Sequence, residues 1–333
     1  MQNFAYVRAA SVTEVLQAVR ENGAQHCRFL AGGTTLVDLM RLDVLHAERL
    51  VDITSIRELQ TFNTSGTSEL VFGALSKMSD VAEDSTLRRD YPALAESLEK
   101  GASQQVRNMA TLGGNLLQRT RCEYFRGRSY PCNKRSPGSG CAALEGINRG
   151  HAIFGYSDAC IATYPGDFAV ALAAFDAQVD TVSPRGERTI PLINLHRLPG
   201  DTPHLETVLD LDELIVRIRV PATPLGKAST YQKIRDRESY AFAVVSSAIA
   251  ITIDDGVVCE ARIALGGVAT KPWRAIAAER SLVGQPLTWE AAERAGAVAF
   301  ADAEPRKASQ FKMALGPKSV AKALMIAKDR SAA

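Results

Sequence analysis

Along this chain the apolar positions fall first into short runs separated by glycine turns, then into alternation, and finally into helical spacing. Ser11-Val-Thr-Glu14 has the spacing of a capping box and predicts a helix through about residue 20. A short strand is predicted over residues 26–30. It runs into Ala31-Gly-Gly-Thr-Thr35, and an apolar helical segment with Leu36, Leu39 and Met40 follows, giving a strand–glycine turn–helix unit. Further strands are predicted over 49–53 and 70–73, and a helix over 92–100 that stops at Gly101. A second glycine pair, Gly113-Gly114, lies in a stretch of small residues.

Periodicity then vanishes from Arg119 to His151, a segment with Pro131, Pro137 and far more basic residues than its two acids, Glu123 and Glu145. A structureless stretch of this length inside a compact domain is usually functional or disordered. Order returns with a short apolar helix from Asp167. A hairpin is predicted from 178–183 and 188–192 around Pro184-Arg-Gly186, and 212–220 alternates as a strand ending at Pro221. Beyond Pro224 the pattern changes. Three strands are predicted over 231–235, 243–253 and 257–265, with Asp254-Asp-Gly256 turning the second into the third. Three helices follow, around 273–282, 289–303 and 310–328. A boundary is therefore placed near residues 222–228.

Composition narrows the function. The chain has 333 residues, enough for two or three domains. Its 39 Lys+Arg against 37 Asp+Glu leave a net charge of +2, which gives no footprint for nucleic acid. No apolar run approaches the ~18 residues of a membrane span, and the first residues have no signal-peptide core. Assembly in the cytoplasm is expected, with export to the periplasm open only through a signal-bearing partner. In the cytoplasm thiols stay reduced.

Two features carry candidate chemistry. Glycine pairs let the backbone approach an anion and turn N–H groups toward it, so Gly32-Gly33 and Gly113-Gly114 are candidate diphosphate cradles. They serve equally well as tight turns, and neither matches the dinucleotide-binding fingerprint or the lysine-bearing phosphate loop. The second feature is cysteine. Of six, Cys122, Cys132, Cys141 and Cys160 share one 39-residue window, with 9, 8 and 18 residues between them. Four soft thiolates suit an iron–sulfur cluster; zinc and coincidental core cysteines are the other readings. Cys27 and Cys259 fall in predicted strands and are expected to be buried small hydrophobes. His151 adjoins the loop but is not needed as a ligand beside four cysteines.

Several motifs, in order along nearly the whole chain, resemble the FAD subunits of the xanthine dehydrogenase / molybdenum hydroxylase family. Phe29-Leu-Ala-Gly-Gly-Thr-Thr-Leu36 is similar to the first flavin-diphosphate loop, and Ala110-Thr-Leu-Gly-Gly-Asn-Leu116 to the second. Asp167 in Pro165-Gly-Asp-Phe-Ala-Val-Ala-Leu172, the run Leu214-Ile215, and Lys233 in Tyr231-Gln-Lys-Ile-Arg-Asp-Arg-Glu-Ser-Tyr-Ala-Phe-Ala243 resemble later flavin contacts. Leu265-Gly-Gly-Val-Ala-Thr-Lys-Pro-Trp-Arg274 looks like the family's C-terminal domain. Thr35 departs from the Asn, Asp or Glu common there, which touches one polar contact. Gln118-Arg-Thr-Arg-Cys122, Pro131-Cys-Asn-Lys-Arg135, Pro137-Gly-Ser-Gly-Cys141 and Cys160-Ile-Ala-Thr163 resemble an insertion that binds [4Fe-4S] in a subset of members, near bacterial three-subunit aldehyde oxidoreductases. The surrounding Arg and Lys side chains are expected to offset the cluster's negative charge.

The resemblance implies an α+β fold: a two-subdomain FAD-binding part of the PCMH / vanillyl-alcohol-oxidase type, then a three-stranded antiparallel sheet with helices. The implied division is 1–60, 61–222 with the cysteine loop over 119–160, and 226–330. It implies FAD contacts at Arg28, Phe29, Leu30, Ala31, Gly32, Gly33, Thr34, Thr35, Leu36, Thr111, Gly114, Asn115, Gln118, Asp167, Ile215 and Lys233. The metal ligands implied are Cys122, Cys132, Cys141 and Cys160. It also implies a heterotrimer, with a molybdenum-cofactor large subunit, a [2Fe-2S] small subunit and an external electron acceptor. The expected function is electron transfer through FAD in an aldehyde oxidoreductase. Alternatives are the flavin subunit of a xanthine or N-heterocycle dehydrogenase, or of a hydroxybenzoyl-CoA-reductase-like enzyme. A stand-alone flavin oxidase and a non-catalytic cluster scaffold are further rivals. No nucleophile–base pair is evident that would act on an organic substrate unaided.

Overall fold

The computed structural model describes residues 1–332. Its N-terminal part is a parallel sheet of β1 (Ala5–Arg8), β2 (Cys27–Leu30) and β3 (Arg49–Asp52), in the order β1-β3-β2. Helix Val12–Asn22 lies against it through Val15, Ala18 and Val19. Ser11 caps this helix by accepting from the Glu14 N–H at 3.2 Å. The return arm of the expected capping box reaches the Ala10 N–H at 2.8 Å instead of Ser11. β1 has no sequence signal strong enough to predict it: three of its four residues are exposed.

The second sheet holds β4 (Phe62–Asn63), β5 (Glu69–Gly73), β6 (Gln178–Ser183), β7 (Gly186–Pro191) and β8 (Leu214–Pro221), antiparallel throughout in the order β4-β5-β8-β6-β7. Between β5 and β6 the chain makes short helices over Met78–Glu83, Ser85–Asp90, Pro92–Glu99, Gln104–Met109 and Leu112–Leu116. Most of these are too short for a clear period in sequence. Helix Phe168–Ala174 is buried at all seven positions, as an all-apolar helix must be. It joins the second sheet to the third in one core, in which Phe72, Phe168 and Val170 meet Tyr231, Ala248 and Ala264.

The third sheet is antiparallel, with β9 (Ser229–Ile234), β10 (Val245–Asp254), β11 (Val257–Gly266) and β12 (Trp273–Arg274) in the order β12-β11-β10-β9. Three strands were expected and four are present. Trp273 and Arg274, expected to open a helix, pair instead with Leu265 and Ala264, and the helix begins at Ile276. Tertiary contacts outweigh the local pattern here. The Trp273 ring stacks on Phe154 with centroids 5.2 Å apart, and Arg274 is held by Glu279 and Asp176 at 2.7 and 2.6 Å. Helices Ile276–Leu282, Trp289–Ala299 and Lys312–Ser331 complete this part. Among the described residues no helix is long and apolar enough to cross a membrane.

Candidate functional site

The first glycine loop leaves the carboxyl end of β2, where ligands commonly bind in open parallel sheets. Gly33 has φ +71, a left-handed conformation that a side chain strains. Gly32 has a different reason. A Cβ there would lie 1.9 Å from the Met109 carbonyl oxygen, so this glycine lets the two glycine loops pack backbone to backbone. A Cβ on Gly114 would meet only the Thr111 hydroxyl, at 3.0 Å. The two loops bound one groove, with about 1090 Å³ of atom-free space continuous with solvent.

Arg28, Phe29, Ala31, Gly32, Gly33, Thr34, Thr35, Leu36, Thr111 and Gly114 all line this groove. Leu117, Arg119 and the segment around Leu209 and Leu211 complete it. The latter residues come from distant chain positions and have no motif that could mark them. Thr111 Oγ1 is buried without a protein partner, as expected beside a polar ligand, whereas Asn115, whose Oδ1 is also unpartnered, does not line the groove. Leu30 turns away into the cluster of Met40, Ala47 and Leu50. Gln118 donates to the Asn115 carbonyl at 2.9 Å and does not line the groove. Ile215 is buried in the main core.

Asp167 and Lys233 form a buried ion pair at 2.7 Å. Tyr231 Oη also donates to Asp167 at 2.6 Å, and Lys233 Nζ donates to the Lys100 carbonyl at 2.9 Å. Burial pushes the Asp167 carboxyl up and the Lys233 ammonium down, while each partner's charge works against that. Asp167 belongs to the wall of a second cavity, with about 1130 Å³ of atom-free space continuous with solvent. Arg121, His151, Tyr164 and Phe242 share that wall. The Arg121 guanidinium lies over the Phe242 ring at 4.9 Å. Arg121 Nε and His151 Nδ1 are both buried without a partner.

Cys122, Cys132, Cys141 and Cys160 line one small cavity with Tyr124, Phe125, Pro131, Asn133, Lys134 and three alanines; its atom-free space is about 280 Å³. Cys132 and Cys141 face each other across an isolated antiparallel bridge. The Cys132 N–H donates to Ser139 Oγ at 3.0 Å, closing the turn between them. Burial raises the thiol of Cys122 to about 12 and that of Cys160 upward, with Lys134 opposing the latter. Among the described residues no three His, Cys, Asp or Glu groups converge closely enough to hold a single metal ion. Cys122 lines this cavity and also the second one, and His151 Nε2 lies 3.3 Å from its Sγ.

Two expectations about this loop, and one about a cysteine outside it, need correction. Its basic side chains mostly serve protein partners rather than the cysteines. Arg121 and Arg126 both pair with Asp38, at 3.2 and 2.8 Å, Arg128 pairs with Asp43, and Arg135 donates to the Tyr124 and Phe125 carbonyls. Only Lys134 lines the cavity, and it also pairs with Glu206 at 2.8 Å. The loop is also less structureless than its sequence reads. It contains helix Glu123–Arg126 and buries Phe125, Ala143, Ile153 and Phe154. Finally, Cys27 is buried as expected, but Cys259 is exposed because β11 turns Val258 inward and its neighbour outward.

A parallel sheet feeding a glycine-lined groove, a second antiparallel sheet and a four-stranded C-terminal sheet together define a flavin-binding subunit of two joined units. Residues 2–223 match the family model described as FAD binding domain in molybdopterin dehydrogenase, and 229–326 match the CO dehydrogenase flavoprotein C-terminal domain. The chain belongs to the FAD-binding medium subunits of the molybdenum hydroxylases, and it is an oxidoreductase subunit. It is 46% identical to the aldehyde oxidoreductase FAD-binding subunit PaoB of Escherichia coli, over 99% of this chain and 100% of that one. It is 28% identical to the carbon monoxide dehydrogenase medium chain of Hydrogenophaga pseudoflava, over 99% and 98% of the two chains. The solved structure of carbon monoxide dehydrogenase from that organism superimposes with a TM-score of 0.77, covering 99% of this chain and 98% of its counterpart.

Proposed function

We propose that this chain is the FAD- and [4Fe-4S]-bearing electron-transfer subunit of a molybdenum-containing aldehyde oxidoreductase. In that enzyme a large subunit holds molybdenum, a small one holds two [2Fe-2S] clusters, and an external acceptor takes the electrons from FAD. The aldehyde reading rests on full-length similarity to the PaoB subunit. The glycine-loop groove would hold the diphosphate, with Thr111 offering its unpartnered hydroxyl. Asp167, paired with Lys233 behind it, would orient the flavin ring from the wall of the second cavity. Bound FAD supplies a carrier that accepts electrons singly and releases them in pairs.

The observation that carries the cluster is the meeting of Cys122, Cys132, Cys141 and Cys160 around one cavity. The four thiolates of a cluster bind four different irons and therefore surround a volume, unlike the ligands of a single ion. The cysteines supply the soft donors, and the orderly turn between Cys132 and Cys141 presents two of them together. The test is iron and acid-labile sulfide on anaerobically purified chain, wild type against Cys132→Ser. The substitution should remove about four iron per chain and leave FAD in place, because the glycine loops lie outside residues 122–160. Stoichiometric zinc in the wild type, or iron that survives loss of Cys132, would overturn the assignment.

A further inference from the structure

The link between the two cavities is a single cysteine. Cys122 lines both the cysteine cavity and the larger cavity bounded by Asp167 and Phe242, and no other residue lines both. The only imidazole in that region, His151, approaches the Cys122 sulfur at 3.3 Å through Nε2. Its backbone is held on both sides. The His151 carbonyl accepts from the fully buried Lys312 Nζ at 2.8 Å, and the ring lies beside Tyr124 with centroids 6.3 Å apart. The His151 N–H donates to the Asn148 carbonyl at 3.0 Å. The backbone at His151 is thereby fixed, and the one polar contact of the ring itself is with the Cys122 sulfur.

We propose that His151 is a positioning residue for the iron–sulfur centre: its Nε2–H donates to Cys122 Sγ and sets the reduction potential of the cluster on the side that faces the flavin cavity. This rests on the [4Fe-4S] reading above. A thiolate ligand carries more negative charge when its cluster is reduced, so a hydrogen bond to it stabilises the reduced form more than the oxidised one and raises the potential. The other three cysteines receive no side-chain donor to sulfur among the described residues, so the effect falls on the ligand that faces the larger cavity. Nothing in the sequence marks His151 for this role, because the contact spans 29 positions.

The experiment compares the full chain as wild type, His151→Phe and His151→Gln, each purified anaerobically. Phe keeps a ring in the packed space without a donor, whereas Gln restores an N–H donor. The readouts are iron per chain, flavin per chain, and cluster and flavin midpoint potentials followed by electron paramagnetic resonance and visible spectra. His151→Phe should keep its iron and FAD, shift the cluster to a more negative potential and leave the flavin potential unchanged. His151→Gln should recover part of the shift. Iron-loaded His151→Phe with the wild-type cluster potential would overturn the proposal while leaving the cluster intact. A wild-type chain without iron would instead overturn the cluster reading beneath it. Should His151→Phe fail to load iron, wild-type chain labelled with ¹⁵N-histidine decides. Pulsed paramagnetic resonance of the reduced cluster must show a histidine nitrogen coupling, and its absence refutes the hydrogen bond.

Discussion

Two glycines that line the groove between the loops look interchangeable as residues and are not. Gly32 is confined by protein backbone, with the Met109 carbonyl where its Cβ would stand, whereas Gly114 borders open groove. Gly32→Ala should therefore destabilise the apo-protein, by about 1–3 kcal/mol for an overpacked site, and lose flavin as a by-product. Gly114 sits in helix Leu112–Leu116, where alanine is favoured over glycine by roughly 0.5–1 kcal/mol. Gly114→Ala should melt no lower than wild type yet bind less FAD, because its methyl group enters the ligand's space. Thermal melts of flavin-free protein, paired with flavin absorbance per chain, separate the two outcomes. Equal melting losses in both variants would contradict the division of roles. Both glycine pairs stood out in the sequence, but a pattern of residue types cannot distinguish a glycine that admits a ligand from one that admits a neighbouring loop.

At the level of elements, the first glycine loop's helix and the cysteine loop are tied together by Asp38, with Asp43 holding Arg128 beside it. Asp38 lies on helix Leu36–Arg41, directly after the first glycine loop, and receives both Arg121 and Arg126. Removing it strands two guanidiniums, and Arg121 is already held below its usual range by burial. Asp38→Asn should loosen the stretch after Cys122, seen as faster tryptic cleavage at Arg126 or Arg128, while the strand–turn–helix unit survives. Unchanged cleavage would mean that other contacts of the loop, the cysteine site among them, hold it without Asp38. The sequence made the main elements of this region legible: β2, its glycine turn and the following helix stand where the apolar runs place them. What it could not show was pairing between elements. β1 is mostly exposed, β12 is recruited by stacking of Trp273 on Phe154, and the inner residues of the cysteine loop become apolar core only by docking on β11 and its helices. The same reason hid Arg119, Leu209 and Leu211 as groove residues.

Across the whole molecule, the C-terminal sheet and helices act as the back wall of the cofactor region. Lys312, fully buried on helix Lys312–Ser331, donates to the carbonyls of His151 and Gly267 at 2.8 and 2.7 Å. Arg149 lies over the Phe311 ring at 4.8 Å, so both contacts fix the cysteine loop from the far side. The fold also constrains how the molecule responds to acid. His196 is buried with Nε2 at 2.8 Å from the Leu116 carbonyl, next to the second glycine loop, and burial holds it down at about 4. Its folded value lies below its unfolded one, so the unfolded chain binds the extra proton first. The stability owed to neutral His196 is present above about pH 6.5 and is lost as pH falls toward 4. The loss should total about 3 kcal/mol, at roughly 1.4 kcal/mol for each tenfold difference in proton affinity between the folded and unfolded chain. Denaturant midpoints measured from pH 7 to pH 4 should fall accordingly, and His196→Gln, which keeps a donor without the titration, should flatten the curve. Parallel slopes for the two proteins would show that other groups govern the acid response.

One outward turn of a strand has a practical consequence. Cys259 faces solvent on β11 while Cys27, Cys132 and Cys160 are enclosed. It gives the chain a sulfur that a maleimide reaches without entering the fold. A spin label or fluorophore attached there sits on a strand of the C-terminal sheet, a fixed origin from which distances to any bound partner can be measured.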